Sequence, residues 1–160
     1  MNLHADGYRE TVAAASIGGT MGDRAYVEIV CHESDAPLFE AIGLMEQFRT
    51  ERPKSVLALV DAEASNGNCS ELQLLAENGV VFRGWHDAGD NYDGACFAGI
   101  GGRFYEVARR NHSDLPCIEV HVDGTVDVEL LAAREYLKMA DQVAAELGLP
   151  SGSESTETTP

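Results

Sequence analysis

The run from Ser55 to Val60 reads S-V-L-A-L-V, an unbroken apolar stretch with polar residues on either side. A strand with one wet face alternates, so a run that does not alternate must be covered on both faces. The pattern predicts a central strand in a sheet with structure packed against each side. Ala25 to Cys31 (A-Y-V-E-I-V-C) does alternate, with Val27, Ile29 and Cys31 on one face, and Tyr8 to Ile17 is a further β-capable stretch ended by Gly18-Gly19. Ser34, Asp35 and Pro37 make a helix start. Leu38, Ile42, Met45 and Phe48 then recur at helical spacing until Pro53, so a helix is expected over 36–50.

Ala64 to Cys69 (A-S-N-G-N-C) reads as a polar loop, after which Ser70 caps a short helix over Glu71–Asn78 and Gly79 closes it. Val80–Trp85 is the next strand. The clearest helix is the last, Val128–Leu147, with an apolar stripe of Leu130, Leu131, Leu137, Ala140, Ala144 and Leu147 and a stop at Gly148 and Pro150.

The segment from Gly94 to Glu129 decides the topology. In one reading Gly101-Gly102 and Asp123-Gly124 are two-residue hairpin turns, since Gly supplies the positive φ that such turns need. In the other, Arg103–Asn111 is a helix between strands Ala95–Ile100 and Cys117–Val122, a βαβ unit. The alternation that puts Ile118, Val120 and Val122 inward and Glu119 and His121 outward describes half-exposed strands and favours the first. The expected fold is α+β: a mixed, largely antiparallel sheet with hairpins, covered by about three helices. An α/β fold with a βαβ unit at 95–122 is the alternative. The expected organisation is one globular domain over 1–149 and a disordered Ser/Thr/Glu tail at 150–160.

Charge narrows the partners. A formal net charge of -16 over 160 residues argues against direct nucleic-acid binding, which needs clustered cations, and the nearest approach to a basic patch is Arg103, Arg109 and Arg110. It favours a basic protein partner. No apolar run reaches the roughly 20 residues of a membrane span, and Met1–Glu10 lacks the apolar segment of a signal peptide. Cys31, Cys69, Cys96 and Cys117 contain no C-x-x-C pair. These features point to the cytoplasm, with no membrane partner; cofactor and oligomeric state are unknown at this level.

The most chemically dressed segment is H-D-A-G-D-N-Y-D-G, His86 to Gly94. His86, Asp87 and Asp90 are candidate catalytic residues, and Asp87, Asp90 and Asp93 candidate metal ligands, although a Ca²⁺ loop would need oxygen donors at positions that here include Gly89. Trp85 and Tyr92 flank the segment as a candidate binding rim. Cys69 is the one cysteine in a polar context and stands at a helix start, where the dipole favours a thiolate, so a Cys-His hydrolase with His86 or His112 can be written. Gly99, Gly101 and Gly102 form a glycine turn that could hold a small ligand or nucleotide.

Two short stretches resemble known families. G-W-H-D-A-G-D-N, Gly84 to Asn91, is similar to the family 9 glycoside hydrolase motif, and the resemblance implies Asp87 and Asp90 as the carboxylates that activate water. That family folds as a large barrel of paired helices, and its distal Glu acid has no counterpart here. F-A-G-I-G-G, Phe97 to Gly102, resembles the cofactor motif of cytosine-5 DNA methyltransferases, which implies S-adenosylmethionine over the glycines with Glu119 or Asp123 on its ribose. That family's Pro-Pro-Cys and Glu-Asn-Val motifs are missing. The leading functional expectation is therefore an acidic, non-catalytic binding or regulatory module of inhibitor or immunity type. The alternatives are a small hydrolase, metal-dependent or acid/base, centred on His86–Asp93, and a ligand-binding domain using the 97–102 turn.

Overall fold

The alternating A-Y-V-E-I-V-C becomes β1 (Arg24–His32), with Val27, Ile29 and Cys31 fully buried. The fold is a computed structural model, which describes residues 24–46, 55–89, 93–109, 116–118, 121–126 and 129–150. After a 3-10 turn at Glu33–Asp35 come α1 (Ala36–Glu40), β2 (Met45–Glu46), β3 (Val56–Ser65) and a second 3-10 turn at Asn66–Asn68. Then follow α2 (Cys69–Glu77), β4 (Phe82–His86), β5 (Ala95–Ile100), β6 (Arg103–Ala108) and α3 (Glu129–Glu146). The strands form one sheet in the order β2-β3-β1-β4-β5-β6, antiparallel at every pairing. The protein is α+β.

The βαβ alternative for 95–122 is overturned. Arg103–Ala108 is a strand that folds straight back on β5, with Ile100 opposite Arg103, because Gly101 and Gly102 sit at φ 60° and 75° and make the two-residue turn. Asp123-Gly124 does lie in a turn, with Gly124 at φ 81°, but Val122 points to solvent instead of inward. Asp123 Oδ1 fixes that turn by accepting from the Thr125 N–H and hydroxyl.

The S-V-L-A-L-V run is covered on both faces, as its lack of alternation requires. Leu57 and Leu59 enter a core with α1 and α2 built around Val27, Ile29, Phe82 and Phe97. Val56 faces the other way, into a core where Cys96, Ala98 and Val107 meet Tyr136, Met139 and Val143 of α3. Helices thus cover both sides of the sheet. β3 is not central, however; it lies second from the edge and is flanked by the two-residue β2.

The helix expected over 36–50 stops at Glu40. The Ile42 and Leu44 N–H groups both donate to the Phe39 carbonyl, Gly43 turns the chain at φ 106°, and Met45 pairs with Val60 instead of continuing the helix. In α3 the boundaries match the sequence reading to within one residue, and the expected stripe is buried at Ala140, Ala144 and Leu147 but not at Leu131 and Leu137. Leu131 and Leu137 are exposed, and Ala133, Tyr136, Met139, Ala140, Val143, Ala144 and Leu147 are buried. The helix offers more apolar positions than one face holds, and the small Cys96 and Ala98 of β5 select the ridge that fits them. No helix of the described residues is long and apolar enough to cross a membrane. Tyr8–Ile17, Phe48 and the Ser151–Pro160 tail lie outside the described residues.

Cys31 gives the fold a pH limit. Burial, reinforced by the Asp35 carboxylate, pushes its thiol up to about 12 from the usual 9.0. The stability it contributes is complete below pH 9.0 and is lost as pH rises towards 12, because only the unfolded chain ionises in that window. Urea unfolding is expected to weaken there by up to about 1.4 kcal/mol per pH unit more in the parent than in Cys31→Val. Equal alkaline losses in the two proteins would refute the assignment.

Candidate functional site

His86 ends β4 instead of opening a loop. It pairs with Val27 on one side and Ala95 on the other, and the Asp87 N–H prolongs the ladder by donating to the Tyr26 carbonyl at 2.9 Å. Strand alternation then carries Phe82, Gly84 and His86 to the α2 side of the sheet. The imidazole stacks on Phe97, with 6.2 Å between ring centroids and an interplanar angle of 24°, and it is almost completely buried.

The Cys69 thiol is brought to this ring by the chain reversal before α2. Gly67 and Asn68 adopt left-handed backbone at φ 63° and 55°, so the helix begins at Cys69 and not at the expected Glu71, with Asn68 in the cap position instead of Ser70. Gly67 is also required sterically, since a Cβ there would lie 2.9 Å from two carbons of the His86 ring. Cys69 Sγ consequently sits 3.6 Å from His86 Nε2. On the other side of the ring, Nδ1 lies 2.9 Å from the Asp87 carbonyl oxygen. A carbonyl only accepts, so Nδ1 carries a proton and Nε2 is the nitrogen that faces the thiol.

Glu106 completes the group. The Gly101-Gly102 turn sets Glu106 opposite Phe97, on the same face, and Ala95 places no more than a methyl group between β4 and β6 at the level of His86. Glu106 Oε1 is 3.6 Å from His86 Nε2, too far for a hydrogen bond. The three donor atoms Sγ, Nε2 and a Glu106 carboxylate oxygen all lie within 4.8 Å of one another. Burial disfavours charge on His86, but the Cys69 sulfur, the Glu106 carboxylate and the Asp87 carbonyl outweigh it and raise its pKa to about 10. Beside this group Asn68 is buried, with its side-chain nitrogen unpartnered among the described residues.

The candidates from the sequence therefore separate. Cys69 and His86 are brought together, whereas Asp87 is not part of the cluster. Its carboxylate accepts from Arg109 Nη2 at 3.0 Å, and that guanidinium lies 4.0 Å over the Trp85 ring, itself packed on Tyr26. Arg109 is buried, so it is no part of a surface patch. Asp93 is exposed, and Asp90, Tyr92, Arg110, His112 and Glu119 lie outside the described residues. Gly99 is a packing glycine whose added Cβ would meet Ala76 and Phe82 at 2.7 Å, and Gly101 and Gly102 form an exposed hairpin turn. Cys31 and Cys96 are buried in the two cores, Cys117 is exposed, and none of the four cysteines is in a disulfide. Glu106 was not legible as a site residue, although counting back from a two-residue Gly-Gly turn places it opposite Phe97.

No family model matches the chain, and no curated protein and no solved structure matches it.

Proposed function

We propose that the protein is a thiol-dependent acyl hydrolase or acyltransferase in which Cys69 is the nucleophile and His86 its general base. The observation that carries this reading is the 3.6 Å approach of Cys69 Sγ, at the first residue of α2, to His86 Nε2, with the ring held from behind by the Asp87 carbonyl. The raised His86 pKa keeps the proton shared by the pair on Nε2, and the sulfur adds to the carbonyl carbon of an ester, thioester or amide as the partner of that imidazolium. The N–H groups of the first turn of α2, which have no intrahelical acceptors, are the donors this chain would offer to a developing oxyanion. Collapse of the tetrahedral adduct breaks the bond to the leaving group, which takes the proton from Nε2. Water, deprotonated by Nε2, then cleaves the thioester and returns the thiol.

The formal charge of -16 supports a basic protein as the carrier of the acyl group, and four free cysteines support a reducing compartment such as the cytoplasm. The same charge also supports the non-catalytic binding module, and a covalent trap separates the two. In a Cys117→Ser background, p-nitrophenyl acetate is expected to leave one acetyl group on Cys69, identified by peptide mass spectrometry, with far slower labelling in His86→Gln. An unmodified Cys69, or equal labelling with and without His86, would overturn the enzyme reading in favour of the binding module.

A further inference from the structure

We infer that Cys69, His86 and Glu106 form a binding site for a borderline-soft divalent metal ion of the Zn²⁺ class, held by three protein ligands with a fourth position open. The inference rests on where the lone pairs converge. His86 Nδ1 is committed to a backbone carbonyl, which is the outer-shell contact that aims Nε2 of a ligating histidine. Around Nε2 stand a thiol and a carboxylate, each at 3.6 Å.

Glu106 is not placed as a triad would place its carboxylate. In a nucleophile-base-orienter arrangement the carboxylate binds the ring nitrogen remote from the nucleophile. Here the remote nitrogen is already bonded to the main chain, and Glu106 faces the same nitrogen as the thiol. Two edges of the group are close to those of a tetrahedral face, and the third, from sulfur to carboxylate, lies within 4.8 Å. With Zn–S of about 2.3 Å and Zn–N and Zn–O of about 2.0–2.2 Å, tetrahedral angles put sulfur and nitrogen about 3.6 Å apart and nitrogen and oxygen about 3.4 Å apart. A thiolate, an imidazole and one carboxylate suit Zn²⁺ or Co²⁺ and not Mg²⁺ or Ca²⁺, which prefer oxygen cages. Burial leaves the fourth position on the outer side, because His86 forms the floor while Cys69 is half-buried and Glu106 is exposed. This set replaces Asp87, Asp90 and Asp93 as the ligands to test.

Metal binding itself stands on this geometry alone, but its meaning as regulation rests on the acyl-transfer reading. An ion bound to Sγ and Nε2 occupies both the nucleophile and its base, so metal would hold the enzyme silent until a chelating partner removed it.

The test uses the full chain, reduced and freed of metal, titrated with Co²⁺ and Zn²⁺. One equivalent of Co²⁺ is expected to produce a thiolate-to-cobalt charge-transfer band in the near ultraviolet, displaced by Zn²⁺ and unaffected by excess Mg²⁺. Cys69→Ser should abolish the band. Glu106→Gln, at an exposed position that spares the fold, should weaken Zn²⁺ binding by at least tenfold, as loss of a direct ligand costs no less than loss of an outer-shell contact. Zn²⁺ should also slow alkylation of Cys69 by iodoacetamide, and a chelator should restore it. Absence of the band at one equivalent, or equal Zn²⁺ affinity in Glu106→Gln and the parent, would overturn the site. A band without acetylation of Cys69 would remove only the hydrolase reading, and acetylation without a band only the metal site.

Discussion

Gly84→Ala is expected to prevent the chain from reaching its folded state. Gly84 pairs with Ile29 of β1 and Phe97 of β5, in the middle of the sheet. A Cβ at this position would overlap the Glu28 carbonyl oxygen and come within 2.8 Å of the Phe97 ring and 2.9 Å of the Ile29 side chain. A side chain can rotate away from a new methyl group, but a carbonyl inside a hydrogen-bonded ladder cannot. Relief would require β1 and β4 to separate, which breaks the pairing that places His86. The expected loss exceeds about 4 kcal/mol, the range reserved for severe core lesions and a large part of a small domain's total stability. Far-ultraviolet circular dichroism and a urea melt would read it, with Gly101→Ala as the comparison. The latter strains a positive-φ turn but meets nothing within 4 Å and should cost far less. A cooperative melt for Gly84→Ala near that of the parent would show that β1 and β4 pair differently.

The second large effect concerns rate. If Cys69 and His86 act as one unit, removing either should cost nearly as much as removing both. Cys69→Ala is expected to reduce hydrolysis of p-nitrophenyl acetate to the background rate. His86→Gln should lower it by about 10²–10⁴, the range of general acid-base contributions, and the double variant should be no slower than Cys69→Ala. Additive losses would mean that the two side chains act separately and that their 3.6 Å contact has no catalytic meaning. Because His86 is buried on Phe97, each variant needs a melt beside its kinetics. A His86→Gln protein that is folded yet retains the parent rate would refute the dyad regardless of stability.

The local elements were legible in the residues alone. Alternation set β1, the Gly-Gly pair set the β5-β6 hairpin, and the Gly148 stop set the end of α3, because each depends on φ preferences and side-chain periods within a few residues. The sequence also marked Cys69 and His86 as chemically unusual, from a polar context and a dense loop. Long-range packing set the rest. Whether the His86 side chain belonged to a loop or to a strand turned on one more ladder bond, from Asp87 to Tyr26, made by a strand sixty residues earlier in the chain. That bond sent His86 to the α2 side and left Asp87 to Arg109, separating two neighbours that the sequence had read as one site. Which apolar ridge of α3 became core depended on the shape of β5, and hydrophobicity alone does not encode shape. Glu106 acquired meaning only when β6 folded back beside β5 and the small Ala95 let two side chains meet across an intervening strand. Contacts of that kind join residues far apart in sequence, through packing that no local pattern specifies.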